Sequence, residues 1–444
     1  MSTKKFTVFI KDTVSDAVKT LTTREGLKSL YGVSLYRNAF YLMVNNLALP
    51  ATGFVFWIIA AHVYSNEQVG IASALISAEG LIWLFSNLGL GSGLIRYLPK
   101  AKESSNRMIN TVFTMTGLAS IIVSGVFIAG LSFWSPKLLF LEHNYWYFFA
   151  FIAFAVVNTL ETISDSAFIA YRRSNFALAK GLTFGLLRLP LVVAFVLVFN
   201  ASGIFTSWGF ATAAALILGF LVLPRVLTEY HPVPVLDKDV LVQILGYSFV
   251  NQLSVLLWYV PTSVLPLMVL NILGTEANAY FYIAWTLGSV LAAVPMGFSS
   301  SLFAEGSNAE KYITLNTFRA LKITFLILVP AVILMEVFAG KLLLLFGGSY
   351  SQNGATLVRI LALSSFPLAV NYIYMSMLQV QRRLRILLSL SGSIAVITVV
   401  GSYVLIRVMG INGAGLAWLG GQTIVAAVIV IGFFLKQSSL KRKG

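Results

Sequence analysis

Two carboxylic residues lie close together inside a long apolar stretch of this 444-residue chain. Glu161 and Asp165 are four residues apart, a spacing that puts both side chains on one face of a helix. Two neighbouring carboxylates resist joint ionisation, so the pair could share one proton or hold a sodium ion. Arg188, in the next apolar stretch, could instead neutralise one of them. The sequence therefore predicts either an ion-coupling site or a structural ion pair at Glu161, Asp165 and Arg188.

Polar side chains in three other apolar stretches could line a cavity. Glu79 has no partner nearby on its own helix, and an ionisable group in such a stretch usually faces protein or water. Asn45 and Asn46 lie in one further stretch, and Asn251 and Gln252 lie in another. Carboxamides both donate and accept hydrogen bonds, so they suit sugar hydroxyls, but they also hold helices together in lipid. We predict that these five residues line a substrate cavity.

Three charged residues stand where apolar stretches begin or end. Guanidinium groups match phosphate oxygens, so Arg37 and Arg96 could receive a diphosphate headgroup, although membrane topology alone also explains them. Arg96 and Glu305 close the second and the eighth stretch at nearly equivalent places. We add Arg37, Arg96 and Glu305 to the predicted substrate-binding residues.

Several kinds of chemistry are not predicted. The chain has no cysteine, so thiolate catalysis and thiolate metal sites are excluded. His62, His143 and His231 are isolated and lack metal-ligand spacing. The segment 89–94 has leucine where a dinucleotide fingerprint needs its last glycine, and there is no phosphate-binding loop of the ATPase type. We predict no catalytic residue, no metal, no cofactor and no enzymatic activity.

Composition identifies the surroundings of these residues. The chain is 58% hydrophobic and 11% charged, whereas a soluble domain is about 25% charged. A helix needs about 20 apolar residues to cross a bilayer, and closed helices satisfy their own backbone groups there. Twelve stretches qualify: 38–63, 70–95, 109–134, 145–170, 178–200, 203–225, 241–265, 277–303, 314–338, 355–379, 386–408 and 413–435. We predict an all-α polytopic membrane protein.

The net charge of +15 indicates orientation in the membrane rather than binding of nucleic acid. With twelve spans, 25 of the 31 Lys and Arg residues fall on one side. The positive-inside rule then places both termini in the cytoplasm and the protein in the cell membrane. The basic excess would also attract anionic headgroups of membrane lipids. The oligomeric state is not determined by the sequence.

Short motifs recur in the same order in the two halves of the chain. Val44-Asn45-Asn46-Leu47 returns as Val250-Asn251-Gln252-Leu253, and Tyr171-Arg172-Arg173 returns as Gln381-Arg382-Arg383. Motifs that recur in the same order, separated by a nearly constant number of residues, are typical of a diverged tandem duplication. Six spans per copy leave both copies in the same orientation, as in parallel-repeat transporters. The acidic pair has no counterpart in the second copy, so we predict that substrate or ion binding lies in the first half.

These observations divide the chain into five parts. Residues 1–36 form an amphipathic segment on the cytoplasmic interface, because apolar residues recur there at near-helical spacing. Residues 37–225 form the first six-helix half. Residues 226–240, which contain two prolines, form a cytoplasmic linker. Residues 241–436 form the second half, and 437–444 form a basic cytoplasmic tail.

Two segments carry a resemblance to a known family. Gly53 to Gly70 ends in a short polar loop with an acidic residue, and the following span ends Asn87-Leu-Gly-Leu-Gly-Ser-Gly-Leu-Ile-Arg-Tyr-Leu-Pro99. Leu345 to Tyr350 and Gln379 to Arg383 fit the same family's C-terminal half. The chain resembles the Wzx-like polysaccharide-export flippases of the multidrug/oligosaccharidyl-lipid/polysaccharide (MOP) superfamily. One departure is that Ala60, Ala61 and His62 occupy a region where the family often has an arginine.

The resemblance implies a MATE-like architecture, with two halves around a V-shaped central cavity. It also implies a flippase that moves an oligosaccharide linked to polyprenyl diphosphate across the cytoplasmic membrane for polysaccharide or glycan biosynthesis. Lipid-linked oligosaccharide, membrane lipids and H⁺ or Na⁺ would be its partners. The alternative is a cation-coupled multidrug or small-molecule exporter of the MATE type, in which Glu161 and Asp165 would be essential.

Overall fold

The computed structural model describes residues 34–199, 202–227, 230–308 and 313–441, with the backbone alone for 34–37, 39, 102, 246–251, 304–308 and 433–441. The predicted amphipathic segment and the last residues of the basic tail therefore lie outside the described residues. Within the described part there are twelve helices long and apolar enough to cross a membrane, and no strand. The predicted all-α membrane fold is confirmed.

The two halves follow the same path through six membrane helices each. The first half consists of α1 (Ser34–Val63), α2 (Asn66–Ser86 continued by Leu90–Tyr97), α3 (Ser105–Ala129), α4 (Tyr145–Ala170), α5 (Ser174–Phe199) and α6 (Gly203–Val222). The second half consists of α7 (Lys238–Leu273), α8 (Thr275–Ser289 continued by Ala293–Asn308), α9 (Ile313–Leu343), α10 (Gly348–Val380), α11 (Leu384–Met409) and α12 (Ile411–Lys441).

The second helix of each half is broken near the same place. In α2 the break follows from Leu88 and Gly89, which adopt left-handed backbone angles of φ 50° and 75° that end one helix before the next begins. In α8 a tight 3-10 turn over Val290–Ala292 separates the two pieces. The sequence predicted single spans over 70–95 and 277–303, because hydropathy does not register a change of backbone direction.

The turn between the fourth and fifth helix has the same backbone geometry in both halves. Arg172 and Arg382 are both left-handed, with φ of 55° and 56°. The Arg173 N–H donates to the Phe168 carbonyl, and the Arg383 N–H donates to the Leu378 carbonyl. Each pair is 210 residues apart, so residues of α4, α5 and α6 can be matched to those of α10, α11 and α12 at that offset.

One face of the bundle carries most of the described arginines at helix ends, and we call it the basic face. Odd-numbered helices begin there and even-numbered helices end there. Its arginines include Arg96, Arg107, Arg172, Arg173, Arg225, Arg382, Arg383 and Arg385. The other end of the bundle is called the opposite face.

The segment that joins the halves is held against α3 at the basic face. The Asn110 amide donates to the His231 carbonyl and accepts from the Tyr230 hydroxyl, at 2.8 and 2.9 Å. Asp237 forms an ion pair with Arg107 and caps the start of α7 by accepting from two backbone N–H groups. The linker is therefore anchored to the first half before the second half begins.

Candidate functional site

Lys180 holds the predicted acidic pair of α4 together. Its ammonium group lies 3.0 Å from Glu161 Oε1 and 2.7 Å from Asp165 Oδ1, and it also donates to Ser164 Oγ and to the Glu161 carbonyl. The Lys180 side chain is 1% exposed, whereas those of Glu161 and Asp165 are 16% and 29% exposed. One fully buried ammonium group thus pairs with two carboxyl groups that are both partly exposed.

The position of Lys180 in the fold explains how a lysine can be buried inside a bundle of membrane helices. It lies six residues after the start of α5, or ~9 Å from the basic face. Gly219 of α6 makes room for it, since a Cβ atom there would lie 3.2 Å from the Lys180 side chain. From the sequence, Lys180 counted only as one of the basic residues on the cytoplasmic side, because a lysine near a helix end looks like any residue that follows the positive-inside rule.

Arg188 does not pair with either carboxylate, which corrects the expected ion pair. Its guanidinium Cζ lies 4.4 Å from the ring centre of Phe184, 4.8 Å from that of Trp208 and 5.2 Å from that of Phe56. It donates to the Leu49 carbonyl and to Thr52 Oγ1, both at 3.3 Å. Arg188 therefore joins α1, α5 and α6 through aromatic and backbone contacts, and Lys180 occupies the place where the ion pair was expected.

Glu79 is buried in the middle of α2, with 2% of its surface exposed. Among the described residues it belongs to no ion pair, and its Oε1 atom has no hydrogen-bond partner. Burying a charged group without a partner is costly, which makes such a carboxyl unusual for a purely structural residue. It does not line a described cavity in this conformation, which differs from the prediction.

Of the predicted carboxamide residues with described side chains, two are buried between helices and one is exposed. Asn45 is buried against α5, where a Cβ atom on Gly181 would lie 2.1 Å from its Oδ1 atom. Gln252 is also buried and donates to the Leu84 carbonyl of the first half. Both therefore join helices, as carboxamides do in lipid, and neither lines one of the described cavities in this conformation. Asn46 is exposed.

The charged residues predicted at the helix ends are only partly described. Arg96 lies at the basic face, is exposed, and its guanidinium is 5.5 Å from the ring centre of Tyr97. The side chains of Arg37, Asn251 and Glu305 lie outside the described residues. Within the described part, no three His, Asp or Glu side chains come together as a metal site.

The sequence did not predict two adjoining cavities in the second half. They measure about 130 and 230 Å³ and share Trp258, Tyr259 and Tyr372. The deeper one reaches Trp285 and Trp418, and the other extends toward the basic face at Gln379. Their described lining comes from α7, α8, α10, α11 and α12 and contains no charged residue. A pattern of aromatic and serine residues recurring on several helices of one half would have been the signal to look for.

The two halves meet closely at the opposite face, where α2 crosses α8. A Cβ atom on Gly70 would lie 1.7 Å from the Thr275 carbonyl, so only glycine permits this approach. The Asn278 amide donates to the Gly70 carbonyl at 2.8 Å. Asn66 contacts Tyr280 and Ser349 of the second half, at 3.1 and 3.4 Å. These contacts close the opposite face.

The two halves also face each other along two lines of contact, or seams, one between α2 and α7 and one between α1 and α8. The two seams differ between the α2–α8 crossing and the basic face. On one side, α7 packs along α2, and Gln252 bonds to Leu84 near the basic face. On the other side, α1 and α8 meet at Trp57 and Tyr282, whose ring centres are 4.9 Å apart. The described parts of α1 and α8 show no packing comparable to that of α2 and α7. The bundle is thus open on one side toward the basic face.

Comparison with solved structures shows the same fold in membrane transporters. An inward-facing multidrug resistance MATE family transporter of the MOP superfamily has a TM-score of 0.68 and 16% identity, over 90% of this chain and 99% of that chain. The lipid II flippase MurJ in an inward closed conformation has a TM-score of 0.69 and 11% identity, over 88% of this chain and 87% of that chain. No curated protein sequence matches the chain.

A family model described as polysaccharide biosynthesis protein matches residues 35–303, which is more than half of the chain. That span includes the whole first half, the linker and the first two helices of the second half. Together with the MOP fold, it confirms the resemblance found in the sequence. The chain therefore belongs to the polysaccharide biosynthesis protein family.

Proposed function

We propose that this protein is a flippase that moves an oligosaccharide linked to polyprenyl diphosphate across the cytoplasmic membrane, for polysaccharide or glycan biosynthesis. The observation that carries the proposal is the open seam between α1 and α8. Each methylene group kept in lipid is worth about 0.8 kcal/mol, so a long isoprenoid tail must stay in the bilayer. An opening on the side of the bundle lets the sugar enter while the tail remains outside.

The proposed direction follows from the charges. The positive-inside rule puts the basic face, and both termini with it, in the cytoplasm. The bundle is open toward that face and closed at the opposite face by the α2–α8 crossing. A substrate made in the cytoplasm would enter here, and rocking of the two halves would open the opposite face for release.

Guanidinium groups at the basic face would bind the diphosphate. Arg96 is exposed there, and Arg37 lies near the start of α1 on the same side. Forked guanidinium donors match phosphate oxygens and would hold the headgroup at the entrance while the sugar moves inward. Asn46, Glu79, Asn251 and Glu305 remain proposed contacts for conformations in which the halves separate.

The proposed ion-coupling site is the cluster of Glu161, Asp165 and Lys180. With both carboxyl groups ionised the cluster carries one net negative charge, so binding of one H⁺ or Na⁺ would neutralise it. The partial exposure of both carboxyl groups supports access for such an ion. Arg188 supports this region by fixing α1 against α5 and α6, and it does not neutralise the acids itself.

The test is translocation by the purified protein in proteoliposomes. A polyprenyl-diphosphate-linked oligosaccharide in the inner leaflet would become accessible to an external lectin, and Arg96→Ala would reduce the rate strongly. Arg407→Ala, which removes an exposed arginine from the opposite face, is the matched control and would leave the rate near that of the unaltered protein. Normal flipping by Arg96→Ala would overturn the role of Arg96. Gradient-driven export of small cations without any glycolipid movement would instead establish a MATE-type exporter.

A further inference from the structure

The paired cavities of the second half have a lining suited to one class of ligand. Trp258 and Tyr372 lie between the two cavities, with ring centres 4.7 Å apart. Trp285 and Trp418 stand on the wall of the deeper cavity, with ring centres 5.3 Å apart. Aromatic faces carry a partial negative charge and attract the weakly positive C–H groups of another molecule. Sugar rings present such C–H faces.

Some polar groups of the lining already donate their hydrogens within the protein. Ser299 Oγ donates to the Tyr372 carbonyl at 3.0 Å, and Ser376 Oγ donates to the Ser299 carbonyl at 2.7 Å. Trp258 Nε1 donates to the Tyr372 hydroxyl at 3.2 Å. Because each serine O–H is used in this way, its oxygen keeps lone pairs directed elsewhere. A ligand rich in O–H donors, such as a sugar, matches these acceptors.

The described lining contains no charged residue, and this disfavours charged ligands. No described residue that lines either cavity is Asp, Glu, Lys or Arg. A carboxylate-bearing sugar would enter without a cation to pair with, and a cationic drug would enter without an anion. Desolvating an unpaired charge is far more costly than desolvating hydroxyl groups that find partners. The lining therefore favours a neutral polyhydroxyl ligand.

The cavities also have suitable dimensions. A cavity holds one buried water molecule when the centre of that molecule has about 10–15 Å³ available to it. Volumes of about 130 and 230 Å³ thus hold on the order of ten or more water-sized groups each, which is the scale of one sugar ring. Two adjoining cavities along α10 would accommodate consecutive rings of a chain.

The region of the first half that matches the aromatic cavities is packed differently. Trp208 of α6 corresponds to Trp418 of α12 at the 210-residue offset, and Arg188 of α5 corresponds to Thr398 of α11. In the first half the Arg188 guanidinium fills the space beside Trp208. In the second half the matched residue is the smaller Thr398, and Trp418 stands on the wall of the deeper cavity.

From these observations we infer that the second half contains the binding site for the saccharide headgroup, and that this site selects neutral sugars over acidic ones. The inference rests on the proposed function and adds the substrate class and the residues that recognise it. Trp258 and Tyr372 form its centre, and the lipid-linked diphosphate stays outside at the basic face. This moves substrate recognition away from the first half, where the charged residues are.

The test compares two polyprenyl-diphosphate-linked disaccharides, one of neutral hexoses and one in which the terminal hexose is replaced by its uronate. Binding to the detergent-solubilised protein is followed by quenching of tryptophan emission, and flipping is followed in proteoliposomes. The neutral compound should bind at least tenfold more tightly than the uronate. Trp258→Leu should weaken its binding by about tenfold, the effect expected when an aromatic contact is lost. Tyr372→Phe, which removes one hydroxyl only, should weaken binding by a smaller factor.

Matched controls keep the result interpretable. Trp146→Leu removes a tryptophan that is 52% exposed and lies at the opposite face, and it should bind the neutral compound normally. Equal binding of the two disaccharides, or unchanged binding by Trp258→Leu, would overturn the saccharide site even if flipping is observed. If the protein binds the neutral compound through Trp258 but flips neither compound, the proposed flippase function fails while the site stands.

Discussion

The two halves of this protein share a path but differ in what their cores contain. In the first half, Lys180, Glu161 and Asp165 form a buried charge cluster between α4 and α5. At the matched positions of the second half stand Leu390, Asn371 and Met375, and Asn371 instead donates to Gln422 at 2.7 Å. The charge cluster thus belongs to the first half, and the cavities with an aromatic, uncharged lining belong to the second half.

This difference indicates how the two halves of a duplicated bundle can take on different functions. A buried ion pair needs close geometry, and this fixes the helices around it. The matched positions of the second half carry no charge, so they impose no such constraint on the packing of the helices. In the proposed flippase, ion coupling would belong to the first half and sugar recognition to the second. The following changes are ordered from the largest expected effect to the smallest.

Joining the halves at the opposite face should abolish transport. Asn66→Cys with Ser349→Cys places two thiols where Asn66 Nδ2 and Ser349 Oγ are 3.4 Å apart, and the natural chain has no cysteine to interfere. A short dithiol-reactive crosslinker should reduce flipping to background, and cleavage of the crosslinker should restore it. Ser349→Cys with Asn353→Cys, a pair within α10, is the matched control. Continued flipping by the crosslinked Asn66–Ser349 pair would show that the opposite face does not have to open for transport.

Removing Lys180 should destabilise the first half strongly. Lys180→Met leaves Glu161 and Asp165 without their cation, and breaking a buried ion pair costs about 3 kcal/mol when the acids keep partial exposure. The triple variant Lys180→Leu, Glu161→Asn, Asp165→Met copies the second half and should recover most of this loss. Thermal unfolding in detergent measures both. A triple variant as unstable as Lys180→Met would contradict the pairing argument, and one that transports with normal ion dependence would end the coupling proposal.

Crowding Lys180 should have a moderate effect. Gly219→Ala places a methyl group 3.2 Å from the Lys180 side chain and 3.3 Å from Ser164 Oγ, which should lower the free energy of unfolding by about 1 kcal/mol. Gly125→Ala, at a helical position with no atom within 4 Å of the new methyl group, should be neutral or slightly stabilising. Equal stability of the two variants, measured by thermal unfolding, would show that α6 does not confine Lys180.

The attachment of the linker should weaken in acid. Hydrogen bonds from the backbone N–H of Val240 and then of Asp239, with the charge of Arg107, lower the pKa of Asp237. Because the pKa of Asp237 is lower in the folded protein than in the unfolded chain, where it is about 3.9, the ionised carboxylate stabilises the attachment above that pH. This stabilisation is lost as the pH falls through the pKa of the folded protein. A dye on Val233→Cys should report release of the linker below about pH 4. The same transition in Asp237→Asn would show that another group causes it.

Much of the architecture could be predicted because it depends on local sequence. Hydropathy found twelve spans because each helix must match the bilayer by itself. The repeated Arg172-Arg173 and Arg382-Arg383 motifs revealed the duplication because the same turn requires the same backbone. The breaks within α2 and α8 escaped prediction because a change of direction does not alter apolar composition.

The candidate site was predicted only in part. Glu161 and Asp165 were found together because their spacing of four residues is a property of one helix. Their partner was assigned wrongly, since Arg188 lies eight residues, or ~12 Å, beyond Lys180 on α5. The rotation of α5 and its position along α4 select between them. The aromatic cavities were missed because Trp258, Tyr372 and Trp418 lie on three different helices.

The sequence by itself determined that this protein is solvated by lipid, crosses the membrane with twelve helices and repeats six of them in parallel. Each of these properties follows from hydropathy, charge and motif order along one chain. The tertiary structure decided which charges pair, which seam is open and which half has space for a ligand. Those outcomes depend on how neighbouring helices rotate and how closely they approach, as at Gly70 and Gly219, and a linear pattern does not record distances between helices.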